Sequence, residues 1–181
     1  MTDPHPVGDL RSSAPPPPSV DDHVRGDPGG TPVLFYADFT CPRCAVAHER
    51  LTRAGARVVF RHFALRAKHE RAVALACAAE AAAAQGAFWS FCDALYADQG
   101  HLDDPHLWRR VRELGLDLAR FEADRRSEAV ADRIRADFES GIRAGVTGTP
   151  TGFVGGELLA GDLLDELEAL GRGRDVFDRR R

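Results

Sequence analysis

"LFYADFTCPRCAVAHERL" spans residues 34–51. An apolar, aromatic run ends there, two cysteines follow with Pro42 and Arg43 between them, and a helix-like pattern begins. With the preceding Thr31, Pro32 and Val33, the run predicts a short buried strand, since proline is tolerated at a strand's first position. Residues 41–55 predict a helix: Cys41 stands near the cap, Pro42 suits the first helical position and Gly55 ends it. "ARVVFRHFAL", residues 56–65, predicts a second strand rich in Val and Phe.

A Cys-x-x-Cys pair at such a junction is a redox-active pair, half of a metal site, or two ordinary thiols. The redox reading has a physical basis. Both sulfurs fall in the first helical turn, where unsatisfied N–H groups and the helix dipole favour thiolate over thiol. Thiols so placed titrate at about 3.5–7.5 instead of near 8.5. Cys41 would then be the nucleophile, and Cys44, one turn inward, the resolving thiol. Pro42 preorganises the turn and removes a donor that has no helical partner. Arg43 places a cation between the thiols. It either tunes the thiolate further, with a shift of roughly half to one pKa unit, or is simply solvated. A structural zinc site needs four ligands. Cys77 and Cys92 are separated by fourteen residues on predicted helices, and His48, one turn past Cys44, is as easily a solvated helix residue. No metal and no cofactor is expected.

The chain has 181 residues and 19.7 kDa, enough for one domain, and 44% hydrophobic residues supply a core. A net charge of -4 creates no field favouring nucleic acid or an acidic membrane, so neither is an expected partner. Lys68 is the only lysine, so an arginine at any one position carries little weight. Four cysteines are too few for a disulfide-stapled secreted domain. Residues 1–29 contain no apolar leader, and no spanning segment follows, so the expected location is cytoplasmic.

Residues 1–29, rich in Pro, Gly, Ser and Asp, predict a disordered tail, with Pro15 to Pro18 favouring an extended polyproline stretch. Ala72 to Gln85 is nearly pure helix former and stops at Gly86. Phe88 to Tyr96, then Leu107, Val111 and Leu114 after Pro105, continue the helical pattern. Val130, Ile134, Phe138 and Ile142 recur every four residues and predict one buried face of a longer helix. "GVTGTP" breaks it, "TGFVGGELLAG" predicts a hairpin turning at Gly155-Gly156, and Asp162 caps a last amphipathic helix before a charged tail at 172–181.

"DHVRGDPGGTPVLFYADFTCPRCAVAHERL", "VVFRHFAL" and "GVTGTPTGFVGG" together resemble the DsbA-like family of oxidoreductases, over about residues 22–170. The resemblance implies an α/β thioredoxin-like fold with an inserted helical domain: core at 30–65 and 146–171, insertion at 66–145. It implies thiol–disulfide exchange with a substrate protein or a small thiol, and an unidentified redox partner. Cys41 resembles the family's nucleophile, Cys44 its resolving thiol, and Thr149-Pro150 the substrate loop in which proline is cis and faces the cysteines. Arg43 stands where an aromatic or His is common, Gly152 where a bulky apolar residue is usual, and Ala64 where proline is common. Kappa-type glutathione transferases share the architecture but usually replace the pair by a single Ser or Cys. A redox-inactive binding module is the remaining alternative.

Four further residues belong to the search for a site. Asp38 is either an acid–base group near Cys44 or, more commonly for such a position, a strand-end or cap acceptor. His62 on a strand is a packed or edge histidine rather than a base. Cys77 and Cys92 flank the Gly86 break, so two antiparallel helices could bring them together; otherwise they are small buried thiols.

Overall fold

Val, Leu and the aromatics of residues 32–37 alternate between two apolar environments, which makes this strand the middle of a sheet covered on both faces. The computed structural model describes residues 13–159 together with Leu163 and Asp165. Its elements in chain order are β1 (His23–Arg25), β2 (Pro32–Ala37), α1 (Pro42–Arg53), β3 (Arg57–His62), α2 (Ala72–Ala83), α3 (Phe88–Ala97), α4 (Asp104–Glu113), α5 (Leu118–Asp124), α6 (Glu128–Arg143), β4 (Thr151–Val154) and β5 (Glu157–Leu158). Among the described residues, the sheet order is β1-β3-β2-β4-β5. β2 and β3 run parallel, joined by α1, while β4 runs antiparallel to β2. The architecture is the α/β, thioredoxin-like one, with α2 to α6 inserted between β3 and β4. No helix among the described residues is long and apolar enough to cross a membrane.

One face of the sheet presents Val33, Phe35, Val58 and Phe60 to α1, α2 and α3, through Leu51, Leu75, Phe88, Phe91 and Leu95. The other presents Leu34, Tyr36 and Val59 to Phe153, Ala144 and Val146. Each buried Leu or Phe contributes about 1.5–3 kcal/mol, so the two layers account for most of what holds the sheet. The β2–β4 register pairs Tyr36 with Thr151. It places the carboxyl end of β2, which leads to Cys41, beside the amino end of β4, which follows Pro150.

Three features differ from the sequence reading. Residues 13–29 are not a disordered tail. Pro15 is buried, β1 pairs antiparallel with β3, and the Arg61 guanidinium donates to the Pro16 and Pro17 carbonyls at 2.9 and 3.1 Å. Proline carbonyls need donors and the tract has none of its own; a buried arginine 44 and 45 residues away supplies them, which composition does not reveal. The apolar stripe of α6 is also cut short, because Ile142 is 54% exposed and Asp137, Ser140 and Gly141 are buried instead. A repeat of four overshoots the helical turn by about 40° each time, so the stripe drifts off the face by about 120° over twelve residues. Gly141 fits because a Cβ there would lie 2.7 Å from a Phe63 ring carbon. Finally, α5 was not foreseen as a separate element. The helix expected from Asp162 and the charged tail at 172–181 lie outside the described residues, apart from Leu163 and Asp165.

Candidate active site

α1 begins where β2 ends, and Cys41 is its N-cap, in an extended conformation with Pro42 at the first turn. The Cys41 carbonyl accepts from the Cys44 and Ala45 N–H groups at 3.0 and 3.3 Å, closing the turn. Cys41 is partly exposed, whereas Cys44 is fully buried, and both are free thiols.

Electrostatics separates the two sulfurs more sharply than exposure does. The Cys41 thiol is lowered from 9.0 to about 5, chiefly by a hydrogen bond from Cys44. Partial burial opposes this, and the Thr149 side chain and the backbone N–H groups of Cys44 and Arg43 reinforce it. Burial pushes the Cys44 thiol far up, and its hydrogen bond to Cys41 pushes the same way. When protonated, Cys41 donates to the Thr149 carbonyl at 3.4 Å. That contact favours the thiol and is outweighed by the donors facing the thiolate.

The Thr149–Pro150 peptide bond is cis, and the loop carrying it lies against Cys41 through that carbonyl. The structure thus brings together Cys41, Cys44, Thr149 and Pro150. Pro42 and Arg43 are exposed, and Arg43 acts on Cys41 through its backbone N–H. Gly152, the second residue of β4, is a site of close approach. A Cβ there would lie 2.8 Å from Leu163 and 2.9 Å from Leu159, so these leucines occupy the room a larger residue would need.

Asp38 is the loop's brace. Its Oδ1 accepts from the Thr40 N–H and hydroxyl at 2.8 and 2.7 Å, and its Oδ2 accepts from the Leu65 N–H at 2.8 Å. This is the strand-end role, not that of a free base. His48 is neither a ligand near Cys44 nor solvated: it is buried, with Nε2 2.6 Å from an Asp93 carboxylate oxygen. His62 is a packed histidine, bonded through Nε2 to Glu80 at 2.7 Å. Cys77 packs with Ala64, Ala72, Ala76 and Ile134, whereas Cys92 belongs to the opposite cluster with Phe91, so the two thiols stay apart.

One contributor escaped the sequence reading. Gln99, just past α3, donates from Nε2 to the Phe39 carbonyl at 2.8 Å and to the Cys41 carbonyl at 3.1 Å. It ties the inserted helices to the cysteine turn. A glutamine in "ADQG" looks like any loop residue, and no local signal marks it.

The sequence matches the DSBA-like thioredoxin domain family over residues 65–170. The chain belongs to that family. The matched stretch holds the inserted helices and the Thr149-Pro150 loop. Among solved structures, a thioredoxin-like oxidoreductase from Silicibacter pomeroyi is similar with a TM-score of 0.73 and 27% identity, over 86% of this chain and 94% of that one. DsbA2 from Pseudomonas aeruginosa is similar with a TM-score of 0.64 and 26% identity, over 88% of this chain and 99% of that one. The thiol–disulfide exchange protein α-DsbA2 of Wolbachia pipientis, at 18% identity, TM-score 0.69 and 86% and 88% coverage, shares the fold. Curated relatives include the Na(+)/H(+) antiporters NhaA 3 of Salinispora tropica, 44% identical over 75% of this chain, and NhaA of Herminiimonas arsenicoxydans, 39% identical over 77%. The chain spans only 22% and 23% of the length of those two antiporters.

Proposed function

We propose that the protein is a thiol–disulfide oxidoreductase working through the Cys41-Pro42-Arg43-Cys44 turn, on substrate proteins or small disulfides. The observation that carries this is the asymmetry of the pair: an accessible thiol held near 5 beside a fully buried one pushed far up. The family membership and the similar oxidoreductases support it.

In the reaction, the Cys41 thiolate attacks one sulfur of a substrate disulfide. A Cys41–substrate bond forms as the substrate S–S bond breaks, and the leaving thiolate departs. Cys44 then attacks the Cys41 sulfur, giving its proton to the departed thiolate, and the second substrate thiolate is released. The Cys41–Cys44 pair is oxidised by two electrons and the substrate disulfide reduced by two; the oxidised pair runs the sequence backwards on a dithiol. Favouring the Cys41 thiolate stabilises the reduced form, which makes the couple more oxidising. Thr149 and Pro150 form the wall along which an extended substrate lies, within reach of Cys41.

The test combines trapping with titration. Cys44→Ser, given a disulfide-containing peptide, accumulates a mixed disulfide through Cys41 visible by mass, and Cys41→Ser forms none and loses exchange. In the reduced wild-type protein, alkylation of Cys41 rises with a midpoint near pH 5. A midpoint near the ordinary 9.0 overturns the assignment of roles.

A further inference from the structure

Behind the redox turn, three side chains from three elements converge on one point. His23 of β1 and His62 of β3 each place Nε2 2.7 Å from the same oxygen, Oε1 of Glu80 on α2. The three ligand-type atoms all lie within 4.8 Å of one another. A carboxylate can only accept, so both rings carry their proton on Nε2 in this arrangement. The two hydrogen bonds hold Glu80 far below the usual carboxylate range, against its burial.

We propose that His23, His62 and Glu80 form a binding site for a single divalent metal ion of the zinc class, separate from the cysteines. Two imidazoles and one carboxylate are the donors that zinc, cobalt and nickel prefer. A tetrahedral ion with bonds of about 2.0–2.2 Å needs its ligand atoms about 3.3 Å apart, so each histidine retreats from Oε1 by about 0.6 Å. To bind an ion, the two rings hold a proton on Nδ1 and present a lone pair at Nε2.

The ligands are held on rigid supports, as a built site requires. His23 stands opposite Phe60 in the β1–β3 register, and His62 lies two residues further along the same face of β3. The His23 ring stacks on Phe88 at 3.5 Å, and the His62 ring packs edge-on against Phe60 at 5.2 Å. β1 is itself fastened to α3: Trp89 donates to the Val24 carbonyl at 3.1 Å, and Arg25 forks onto Asp93 at 2.8 and 3.0 Å. Exposure is graded, with side chains 17% exposed at His23, 10% at Glu80 and 1% at His62. The fourth position therefore faces out past His23 and takes water, while the apolar shell closes the inner side. The ion's role is a clip joining β1 and β3 to the inserted helices.

The experiment uses the full chain with Cys41 and Cys44 oxidised to their disulfide, so that neither competes as a ligand. Zinc(II) is titrated by calorimetry, and melting is followed with and without it. The expected result is one zinc per chain and a raised Tm. His23→Gln and Glu80→Gln each weaken binding by about a hundredfold, the upper end of what disturbing even an outer partner of a ligand costs, and abolish the Tm rise. His23 is partly exposed, so His23→Gln decides the matter alone should Glu80→Gln fail to fold. Two results overturn the site: no zinc bound by the wild type, which leaves a hydrogen-bonded brace only, or zinc bound equally by the wild type and His23→Gln.

Discussion

The cysteine turn and the segment leading into β1 are held by opposite means. In the turn, Cys41 is governed by groups within three residues: the Cys44 thiol and the N–H groups of Arg43 and Cys44, with Thr149 as the main outside contributor. The leading segment has one local turn, in which the Ser19 N–H donates to the Asp22 carboxylate at 2.8 Å, and is otherwise held by side chains far along the chain. Asp22, Pro16 and Pro17 are gathered by Arg61, from 39 to 45 residues away. Chemistry set by neighbours in sequence can be read from a short quotation; order imposed by one distant side chain cannot.

The strongest way to test that contrast is to remove the distant side chain. Arg61 is 4% exposed, bonds Asp22 at 2.9 and 3.1 Å and also donates to the Tyr36 hydroxyl at 3.3 Å. Arg61→Ala leaves a buried carboxylate with the Ser19 N–H at 2.8 Å and Arg133 3.8 Å away, so the cost is about 3 kcal/mol, the lower end for breaking a buried pair. Urea unfolding measures that loss, and limited proteolysis should now cut ahead of β1. The alkylation profile of Cys41 should not move; if it does, the two regions are coupled and the contrast fails.

The second effect belongs to the turn and is read by pH. The folded pKa of Cys41 lies below its unfolded value, so the folded reduced state loses the proton more readily. Its contribution to stability is therefore complete above 9.0 and disappears as pH falls to about 5. The oxidised protein lacks both thiols, but Cys44, raised by burial, stays protonated across that window, and the remaining groups titrate in both forms. The Tm of the reduced protein relative to the oxidised one should fall as pH is lowered through that window. A constant difference would mean that Cys41 is not titrating as described.

How much was legible follows the same division. Cys41 as cap, Pro42 at the first turn, the Gly55 stop and the Gly155-Gly156 hairpin were readable because each depends on a few adjacent residues. Gly155 and Gly156 have φ of 60° and 83°, which a glycine pair adopts at no steric cost. Of the inserted helices, α2 is readable from its helix-former composition and α3, α4 and α6 from periodicity, but α5 and the Ile142 end of α6 are not, because a four-residue repeat resembles a helical face only over short spans. The turn that packs Phe63 and Tyr36 against Gly141 depends on three separated elements meeting. Gly152 shows the same limit: its vacancy for a side chain is filled by Leu159 and Leu163. Asp38 reads as a brace because its position at a strand end already implies the nearby N–H of Thr40, which donates to it at 2.8 Å.

Gln99 is where the two modes overlap, a distant side chain acting on the local turn. Gln99→Ala removes donors from the Phe39 and Cys41 carbonyls, and the latter keeps its helical partners. Stability should drop by about 1 kcal/mol in urea, since the exposed carbonyl can turn to water. Cys41 should alkylate somewhat faster at saturating pH as the turn loosens. Unchanged rate with unchanged stability would remove Gln99 from the site.

The smallest expected effect is at Arg43. Its sequence position invites a coulombic role, a guanidinium beside a thiolate. The structure gives it a different one: the side chain is exposed, and the N–H of its backbone is what supports Cys41. Any residue except proline supplies that N–H. Arg43→Ala should therefore move the Cys41 midpoint by less than about half a unit, as exposed charges do, and that residue of a shift should vanish at high salt. Arg43→Pro is the opposite case, because it deletes the N–H while also removing the charge. Thiolate absorbance across pH, at low and high ionic strength, separates the two contributions. If Arg43→Ala raised the midpoint by a full unit at low salt, the side chain would be tuning the thiol after all, and the turn's chemistry would be less strictly a matter of its backbone.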